Sequence, residues 1–440
     1  MKTTLRHSCS NISTSRKTCS QSRGELSELN GKFHFSSGSS ACYINQFKHT
    51  ARSVLALWFK LQKKMSESLA VATEQERSVT VKSGDNSWEL SYVWLRDHCR
   101  CEKCFDHSNF QRLLDTVGIP LDIRPTQLTC GTDGLDLTWP DSHMTTYPWK
   151  WLEEFGPSGA KQQSHNAALQ RILWDGATIK SVLPPDIAFQ EFMETETGLK
   201  EAVERFYKLG LVFINGAQPN TEDVEKVASR FSRLQETFYG RACVVTFTQE
   251  IADSGYSKGS LSLHTDNTYF HEPNGALLFS CFKHDGEGGE NPLVDGFYAA
   301  AKLKREHPDY YDALSTIPLV MQYVDQERDI KTHATMIKND PITGAMQMIR
   351  YNVLDRGVLS HFTLRDMDRF YAANKAFATI LQDPSSEFVV KLVPGRLMLI
   401  DNWRLLHGRS AFTGNRVMTS AYLQRDEMHS KIRTMLGVKI

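Results

Sequence analysis

The stretch Leu261-Ser262-Leu263-His264-Thr265-Asp266-Asn267 carries the strongest indication of the fold. Apolar and polar residues alternate along it, which predicts a short β-strand. Successive side chains of a strand point to opposite faces, so His264 and Asp266 are expected to project the same way. One imidazole and one carboxylate on the same face supply two ligands for a metal ion. A third ligand must come from elsewhere in the chain.

His407 is the expected third ligand. It lies at the end of residues 397–407, where a short apolar strand runs into a polar turn. Two histidines and one carboxylate on one face of an octahedral ion leave three positions open, the arrangement used by non-haem Fe(II) oxygenases. His-x-Asp alone is a weak signal, because a lone strand histidine is more often a satisfied surface or core residue.

Arg416 adds a group for an anionic cosubstrate, since it follows His407 by nine residues (416 − 407 = 9). A guanidinium offers a planar fork that holds a carboxylate through two parallel hydrogen bonds. A 2-oxo acid could therefore chelate the metal at one end and meet Arg416 at the other. The distal histidine and this arginine together favour a metal site over an isolated strand histidine.

The composition of the chain and the motifs that it lacks exclude several classes of protein. With 51 Lys and Arg against 51 Asp and Glu in 440 residues, no net field draws the chain to nucleic acid or anionic lipid. No run of about 18 apolar residues is present, so no membrane-spanning helix is expected. A Gly-rich phosphate loop and a nucleophile elbow are also missing from the sequence. The length predicts two or three domains.

Residues 1–66 form a basic leader whose only acids are Glu25 and Glu28. A segment rich in Arg, Lys and Ser and poor in acids is typical of a mitochondrial transit peptide, with residues 51–64 as its amphipathic helix. This composition predicts the mitochondrial matrix as the location. The alternative is a disordered basic tail on a cytoplasmic protein, with translation able to start at Met65.

Residues 75–155 are predicted to form a small β domain, because short strands and turns follow one another through them. Three of the nine cysteines, Cys99, Cys101 and Cys104, fall within six residues, and His143 follows at a distance. Three thiolates and one imidazole make a closed tetrahedral zinc site of structural character. Such a site would stabilise a domain with a small core of its own.

Two alternatives to this zinc site remain open. His98 and His107 are rival fourth ligands, because both lie close to the cysteines in the sequence. The three cysteines could also be free thiols, since the odd number of cysteines in the chain favours a reducing compartment over a disulfide scaffold.

Residues 168–440 are predicted to form the main domain, after a Gln-, Ser- and Gly-rich linker at residues 157–167. Two amphipathic helices, at 199–209 and 221–234, are expected first. Short strands follow at residues 243–247, 277–283, 318–324, 346–352, 388–393, 397–400 and 420–424, and one helix, at 366–381, interrupts them. The pattern predicts mainly β structure with flanking helices, in the form of a double-stranded β-helix or jelly roll.

The chain resembles the γ-butyrobetaine and trimethyllysine dioxygenase family of Fe(II) and 2-oxoglutarate oxygenases from about Trp88 to its end. The motifs that carry the resemblance are WLRDHC (94–99), TWPD (138–141), ETFYGR (236–241), HTD (264–266), VDGF (294–297) and DNWRLLHGR (401–409). Within the family the trimethyllysine branch, which opens carnitine biosynthesis, is the more similar. The resemblance implies hydroxylation at C3 of Nε-trimethyllysine, with 2-oxoglutarate and O2 consumed.

The resemblance also implies specific ligands, a reductant and an assembly. Iron would be held by His264, Asp266 and His407, the far carboxylate of 2-oxoglutarate by Arg416, and zinc by Cys99, Cys101, Cys104 and His143. Ascorbate is the expected reductant and a homodimer the expected assembly. In the trimethyllysine branch the middle cysteine can be absent, so the presence of Cys101 is a feature of the butyrobetaine branch.

The resemblance places an aromatic cage around the substrate cation at Tyr239, Tyr256 and Tyr422. A trimethylammonium group has no N–H to donate, so aromatic faces hold it, each contributing roughly 0.5 to 2 kcal/mol. The family places a tryptophan where this chain has Cys243, so one wall of the cage is expected to be thinner.

The other end of the substrate distinguishes the two branches. Butyrobetaine ends in a carboxylate alone, whereas trimethyllysine adds an α-ammonium, which favours an acidic partner. Asp253, eleven residues before His264 (264 − 253 = 11), lies where the butyrobetaine branch has asparagine, and Asn352 is a second candidate contact.

Two other functions remain open at this point. One is γ-butyrobetaine hydroxylation by the same machinery. The other is a non-catalytic, zinc-bearing interaction protein with a degenerate oxygenase fold, which Cys243 and Asn291 suggest, because relatives carry Ser or Thr at the latter position.

Overall fold

The computed structural model describes residues 70–157, 170–246 and 257–438. The chain divides into two compact units, with the boundary after Pro157. The predicted leader at residues 1–66 lies outside the described residues. Within the described part of the chain, no helix combines the length and the apolar character needed to cross a bilayer.

The first unit is built from short strands with one helix in the middle and one at the end. Its elements are β1 Val71–Glu74, β2 Ser78–Ser83, β3 Asn86–Ser91, α1 Tyr92–Asp97, β4 Phe105–Asp106, β5 Gln111–Arg112, β6 Gln127–Cys130, β7 Gly134–Thr138, β8 Met144–Pro148 and α2 Trp149–Phe155. Three antiparallel sheets result, in the orders β1-β2-β3, β4-β5 and β6-β7-β8.

Alternation along β2 and β3 builds the core of the first unit. Val79 and Val81 of β2 lie opposite Leu90 and Trp88 of β3, and all four side chains are buried. Because every second residue of a strand faces the same side, the residues between them face solvent. Burial of apolar area contributes roughly 25 cal/mol per Å², so this small core stabilises the unit only modestly.

The second unit is larger and mixes sheets with helices. Before β12 it contains α3 Gly176–Val182, β9 Ile187–Ala188, α4 Phe189–Glu194, α5 Glu196–Leu209, β10 Leu211–Asn215, α6 Thr221–Phe231 and β11 Ala242–Val245. The remaining elements are β12 Leu261–His264, β13 Ala276–His284, β14 Asn291–Asp295, α7 Gly296–Glu306, α8 Pro308–Thr316, β15 Leu319–Val324, β16 Asp329–Ala334, β17 Ile337–Asn339, β18 Met346–Ile349, α9 Leu364–Leu381, a 3-10 turn Pro384–Ser386, β19 Phe388–Val390, β20 Arg396–Asp401, β21 Leu405–Arg409, β22 Arg416–Leu423 and α10 Arg425–Leu436.

Two sheets form the centre of the second unit. One has six strands in the order β11-β22-β13-β20-β10-β9, and the other has four in the order β12-β21-β14-β19. Met398 and Ile400 of β20 pack in one cluster with Leu293 and Leu405 of the smaller sheet. The neighbouring side chains of β20 pack against α5, α6 and α10 instead. This layering is consistent with the predicted jelly roll and its outer helices.

Helices α7 and α8 correct one expectation. A single helix at 366–381 was expected to interrupt the strands, but α7, α8 and α9 pack together and cover Val294 and Leu406 of the smaller sheet. The prediction of one helix is therefore wrong. Start signals were present, because the Asp295 side chain caps α7 and Pro308 occupies the first turn of α8.

Candidate metal centre and substrate cavity

Strand pairing brings His264 and His407 together. Strand β12 runs antiparallel to β21, and His264 lies directly opposite His407 in the register. The two ring centroids are 4.4 Å apart, and the two residues are 8% and 6% exposed. Two residues 143 positions apart in sequence (407 − 264 = 143) thus become neighbours on one sheet.

Asp266 lies beside the two histidines, but a turn positions it and not the strand that was expected to do so. Strand β12 ends at His264, so Asp266 lies in the following turn and strand alternation does not orient it. Its backbone is held by Asn402, in the connection between β20 and β21. Asp266 N donates to Asn402 Oδ1 at 2.8 Å, and Asn402 Nδ2 donates to Asp266 O at 3.1 Å. The connection that leads to His407 therefore also fixes Asp266.

Asn267 makes the tight turn after Asp266. It adopts a positive φ of 54° although it is not glycine, and it is only 4% exposed. Asparagine tolerates this left-handed conformation better than most residues because its short amide bonds locally. Here Asn267 donates to Asn274 Oδ1 and accepts from Tyr269 OH, the latter at 2.9 Å. These bonds stabilise the turn that directs the Asp266 carboxylate.

The ligand atoms of the three residues converge. Asp266 Oδ1 lies 3.0 Å from His264 Nε2 and 3.5 Å from His407 Nε2, and one atom from each residue lies within 4.8 Å of the others. His264 Nδ1 lies 2.8 Å from Ser262 O, so Nδ1 carries the proton and Nε2 is left as a ligand. The second carboxylate oxygen, Oδ2, accepts from Tyr422 OH at 3.0 Å.

The electrostatics of this triad suit a divalent cation. Burial opposes ionisation of Asp266, but the His407 and His264 rings lower its pKa to about 2. Burial lowers the pKa of His407 to about 3, so its imidazole is neutral at physiological pH. His407 Nδ1 is buried without a hydrogen-bond partner among the described residues. Burial opposes protonation of His264, but its hydrogen bond to Asp266 raises the pKa of this ring, so a metal ion that binds here must displace the His264 proton. An ionised carboxylate beside two imidazoles is the donor set that a metal ion of this class requires, so the residues fit one.

Arg416 at the start of β22 lines the same cavity. None of the described carboxylates lies within 4.0 Å of its guanidinium, which stands 5.5 Å from the ring centroid of Phe412. Burial, with a contribution from Arg409, lowers the pKa of Arg416 to about 10, so it remains charged at neutral pH. A partly buried cation with no carboxylate partner in the described part of the chain favours an anionic ligand.

A cavity of about 410 Å³ between the two sheets connects the triad with Arg416. Tyr239 and Tyr422 line it, with ring centroids 6.4 Å apart at an angle of 42°. Cys243 also lines it, with its Sγ 3.3 Å from Ser420 Oγ. The other two residues predicted to bind substrate, Asp253 and Tyr256, lie outside the described residues.

Asn352 lines the cavity in the turn that follows β18. Its Oδ1 accepts from Leu354 N at 3.0 Å. This bond fixes the orientation of the amide and identifies Nδ2 as the atom that can donate to a ligand.

The cysteine cluster of the first unit forms a second convergent group. His143 Nε2 lies 3.3 Å from Cys99 Sγ, 3.5 Å from Cys101 Sγ and 3.5 Å from Cys104 Sγ. Neighbouring donors point to the sulfur atoms: Arg96 donates to Cys104 at 3.4 Å and Thr145 to Cys99 at 3.2 Å. Three thiols and an imidazole thus share one small space, as a four-ligand metal site requires.

The two rival histidines are engaged elsewhere. His98 Nδ1 lies 2.8 Å from Trp94 O, and its ring stacks on Trp94 with centroids 4.5 Å apart. His107 Nε2 lies 2.8 Å from Arg100 O. Neither belongs to the group whose ligand atoms converge, whereas His143 does.

Tyr422 gives a prediction at the triad. Tyr422→Phe removes the hydroxyl that holds Asp266 Oδ2 but keeps the ring that lines the cavity. We expect the affinity for Mn(II), measured by electron paramagnetic resonance, to fall about 10- to 100-fold. This is the usual effect of removing a hydrogen-bond partner of a metal ligand. Tyr239→Phe is the matched control, because its hydroxyl lies 3.2 Å from Tyr269 OH instead. Equal Mn(II) affinity in the two variants would contradict this role.

Comparison with known proteins adds an independent finding. A family model described as taurine catabolism dioxygenase TauD, TfdA family matches residues 177–422, and one for the N-terminal region of γ-butyrobetaine hydroxylase-like proteins matches residues 71–153. The mitochondrial trimethyllysine dioxygenase of Gallus gallus is 38% identical over 378 residues, which cover 85% of this chain and 90% of that protein. The Homo sapiens protein of the same name is 37% identical over 393 residues, covering 88% and 92%. The γ-butyrobetaine dioxygenase of Pongo abelii is 29% identical over 358 residues, covering 78% and 90%.

Proposed function

Because the chain belongs to the TauD, TfdA family of dioxygenases and, within it, to the trimethyllysine dioxygenases, we propose that it hydroxylates Nε-trimethyllysine at C3. The product is 3-hydroxytrimethyllysine, formed in the first step of carnitine biosynthesis. The observation that carries the proposal is the convergence of His264, Asp266 and His407 on the wall of a cavity that also holds Arg416 and aromatic rings.

His264, Asp266 and His407 would hold Fe(II), and Arg416 would bind the far carboxylate of 2-oxoglutarate. When bound, iron supplies the activation of O2 and the oxidative decarboxylation of 2-oxoglutarate, chemistry for which proteins depend on a cofactor. In the overall reaction one oxygen atom of O2 enters the substrate C–H bond, and the other enters succinate as CO2 leaves. Asp266 is oriented to offer Oδ1 as the ligand, because Oδ2 is engaged by Tyr422.

The remaining residues position the reactants. The Arg416 fork can hold a carboxylate bidentately and so fix the direction in which 2-oxoglutarate lies. Tyr239 and Tyr422 would hold the trimethylammonium group against their faces, with Tyr256 as the third wall. The protein thereby presents one C–H bond of a flexible chain at one place, and this positioning is its main contribution to the rate.

Turnover of two substrates tests the proposal. The purified protein is incubated with Fe(II), ascorbate and 2-oxoglutarate, and with either trimethyllysine or γ-butyrobetaine, and the mass of each product is measured. We expect trimethyllysine to gain one oxygen atom with the higher kcat/KM. Preferential hydroxylation of γ-butyrobetaine would overturn the substrate assignment, and no turnover of either would favour the non-catalytic alternative.

The setting of the enzyme is part of the same proposal. Ascorbate is the reductant that keeps the iron ferrous between turnovers. Residues 1–66 direct the protein to the mitochondrial matrix, in line with the mitochondrial label of relatives. Residues 75–155 form the zinc-binding domain, residues 168–440 form the oxygenase domain, and two copies associate as a homodimer. Light scattering of the purified chain tests the last point.

We also propose that Cys99, Cys101, Cys104 and His143 bind a structural zinc ion. Burial raises the pKa of the Cys99 thiol to about 11, so a nearby cation is needed for it to ionise. Such an ion would hold together the segment between α1 and β4 and the loop before β8, which the small core of this unit stabilises only modestly.

Loss of the zinc should destabilise the protein. We expect Cys104→Ala to lower the zinc content from about one ion per chain to a small fraction. It should also lower the free energy of unfolding of the first unit, by no more than the roughly 10 to 16 kcal/mol that structural zinc contributes to small domains. Atomic absorption and calorimetry measure the two effects. The control is Cys130→Ala, which removes a cysteine of the same unit outside the cluster. Equal zinc content in the two variants would contradict the assignment.

A further inference from the structure

We propose that Arg96 supplies the positive charge that balances the proposed zinc site, and that it thereby strengthens zinc binding and makes the thiolates less reactive. The inference rests on the proposal that three cysteines and His143 bind zinc, and it deepens that proposal. It assigns a role to a buried charged residue of the first unit that lies outside the converging group of ligand atoms.

The zinc site would carry an excess negative charge when it is loaded. Three cysteines and one histidine make up the converging group. Cysteine binds zinc as a thiolate and histidine as a neutral imidazole. Zn²⁺ brings two positive charges and the thiolates bring three negative ones, so one negative charge is left over. Cys99 and Cys104 are 3% and 4% exposed, and a charge held so far from water needs a partner of opposite sign.

The guanidinium of Arg96 lies against these sulfur atoms. Arg96, near the end of α1, is 8% exposed, and its Nη1 donates to Cys104 Sγ at 3.4 Å. Arginine is almost never buried unless it is paired. Two other cations of the same segment, Arg100 and Lys103, are exposed, so water stabilises their charges. Of these three cations, Arg96 is therefore the one that shares the dry surroundings of the cysteines.

Arg96 also joins the two segments that supply the ligands. Its Nη2 lies 3.6 Å from Asp141 Oδ2, and Asp141 Oδ1 accepts from His143 N at 3.0 Å. Because Nη1 reaches Cys104, one guanidinium spans the cysteine segment and the turn that carries His143. The Asp141 side chain is 60% exposed, so water already stabilises its charge and this ion pair is weak. The charge of Arg96 therefore acts mainly on the sulfur side.

Two of the sulfur atoms accept hydrogen bonds of different strength. Cys99 Sγ accepts from the neutral hydroxyl of Thr145 at 3.2 Å, whereas Cys104 Sγ accepts from the charged Arg96. Hydrogen bonds from a charged donor are about twice as strong as those from a neutral one. A thiolate is the nucleophilic and oxidisable form of cysteine, and a strong bond to it lowers the electron density that an electrophile attacks. Arg96 therefore favours a stable structural site over a reactive one.

Two substitutions separate the charge of Arg96 from its packing. Arg96→Gln removes the charge but keeps a neutral donor, and Arg96→Lys keeps the charge. We expect Arg96→Gln to lower the zinc affinity about 10- to 100-fold, the usual effect of losing a hydrogen-bond partner of a metal ligand. Arg96→Lys should retain most of the affinity, because one N–H bond goes to the sulfur and a point charge can replace the fork there. Competition of the full chain with a chromophoric chelator measures these affinities.

Arg100→Gln is the matched control. It removes a cation of the same segment, whose guanidinium carbon lies 4.3 Å from the ring centroid of Phe105. This variant should bind zinc like the wild type. All proteins are purified in excess zinc, which still fills a site weakened about 100-fold, because structural zinc binds with roughly 10 to 16 kcal/mol. If Arg96→Gln nevertheless failed to fold, Arg96→Lys would decide alone, and a loss of about 10-fold or more in its zinc affinity would overturn the proposal.

Alkylation of the cysteines gives a second readout, which does not depend on the activity of the enzyme. Iodoacetamide forms a bond from its carbon atom to the sulfur and releases iodide. In the presence of saturating zinc, we expect the peptide that holds the three cysteines to be alkylated faster in Arg96→Gln than in the wild type, as mass spectrometry shows. Arg96→Lys and Arg100→Gln should react at the wild-type rate. An unchanged rate in Arg96→Gln would overturn the effect on reactivity.

The outcomes for Arg96 and for the zinc site are distinct. Equal losses of zinc affinity in Arg96→Gln and Arg96→Lys would mean that Arg96 acts through packing, and unchanged affinity in Arg96→Gln would mean that its charge is not needed. Either result overturns the proposal, as would an equal loss in Arg100→Gln. The zinc content of the wild-type chain tests the site itself. A wild-type chain that binds no zinc would overturn the site and this inference together, whereas zinc in the wild type and in every variant, with equal affinity, would overturn the role of Arg96 alone.

Discussion

Replacing His264 by alanine is expected to abolish both metal binding and hydroxylation. His264 Nε2 lies 3.0 Å from Asp266 Oδ1. Among the described residues, the converging group consists of His264, Asp266 and His407, so no further side chain of the group can replace the lost imidazole. Removing a residue that only hydrogen-bonds a metal ligand already lowers metal affinity about 10- to 100-fold. Removing the ligand itself should therefore lower the affinity by more than about 100-fold. Titration with Mn(II) and release of labelled CO2 from 2-oxoglutarate measure the two effects.

The control for this variant is His333→Ala, which removes an exposed histidine of β16 in the same unit. It should bind Mn(II) and hydroxylate trimethyllysine like the wild type. If the His264→Ala protein were folded and still bound Mn(II) with unchanged affinity, the three converging side chains would not be the metal site, and the proposed chemistry would have no place in this cavity.

Replacing Arg416 by alanine is expected to raise the KM for 2-oxoglutarate about 30- to 1000-fold. Loss of one partner of a partly buried, hydrogen-bonded charge pair costs about 2 to 4 kcal/mol, which corresponds to this range. Arg416→Lys should recover only part of the loss, because an ammonium cannot make two parallel bonds to a carboxylate. The affinity for Mn(II) should stay unchanged, since Arg416 does not belong to the converging triad.

Arg365→Ala is the matched control for Arg416, because it removes an arginine from the exposed surface of α9. Steady-state kinetics with 2-oxoglutarate as the varied substrate distinguish the variants. A KM for 2-oxoglutarate that is unchanged in Arg416→Ala would mean that the cosubstrate carboxylate binds elsewhere. An unchanged KM together with a raised KM for trimethyllysine would place Arg416 at the other end of the cavity.

Residue types and local patterns were sufficient to identify the candidate triad and the strand that carries His264. They placed His407 in the polar turn after a strand at 397–400, whereas it lies on a separate strand, β21. The proximity of the two histidines was not predictable, because it depends on the pairing of β12 with β21 across a long stretch of chain. Asp266 shows the limit most clearly. Strand alternation gave the right expectation for the wrong reason, because the strand ends at His264 and a turn stabilised by Asn402 directs the carboxylate.

The same limit applies to residues that the sequence did not suggest. Asp355 alone is an acid in a turn, and such residues are usually solvated. Only the pairing of its turn with β15 and with the segment after β12 brings it into the cavity. Helix α7 is a local example, since its Asp295 cap was a usable signal but its buried face is made largely of Gly and Ala, which gives a weak apolar pattern.

The bonds between Asp266 and Asn402 have a consequence for biosynthesis. Asn402 follows Asp266 by 136 residues, so a ribosome must synthesise that whole stretch before Asp266 can be held in place and His407 can join it. Domains fold as units once enough of the chain has emerged, and contacts between distant segments form late. A nascent chain that has not reached Asn402 therefore lacks the completed triad, so the proposed metal site can form only after both β12 and β20 have been synthesised.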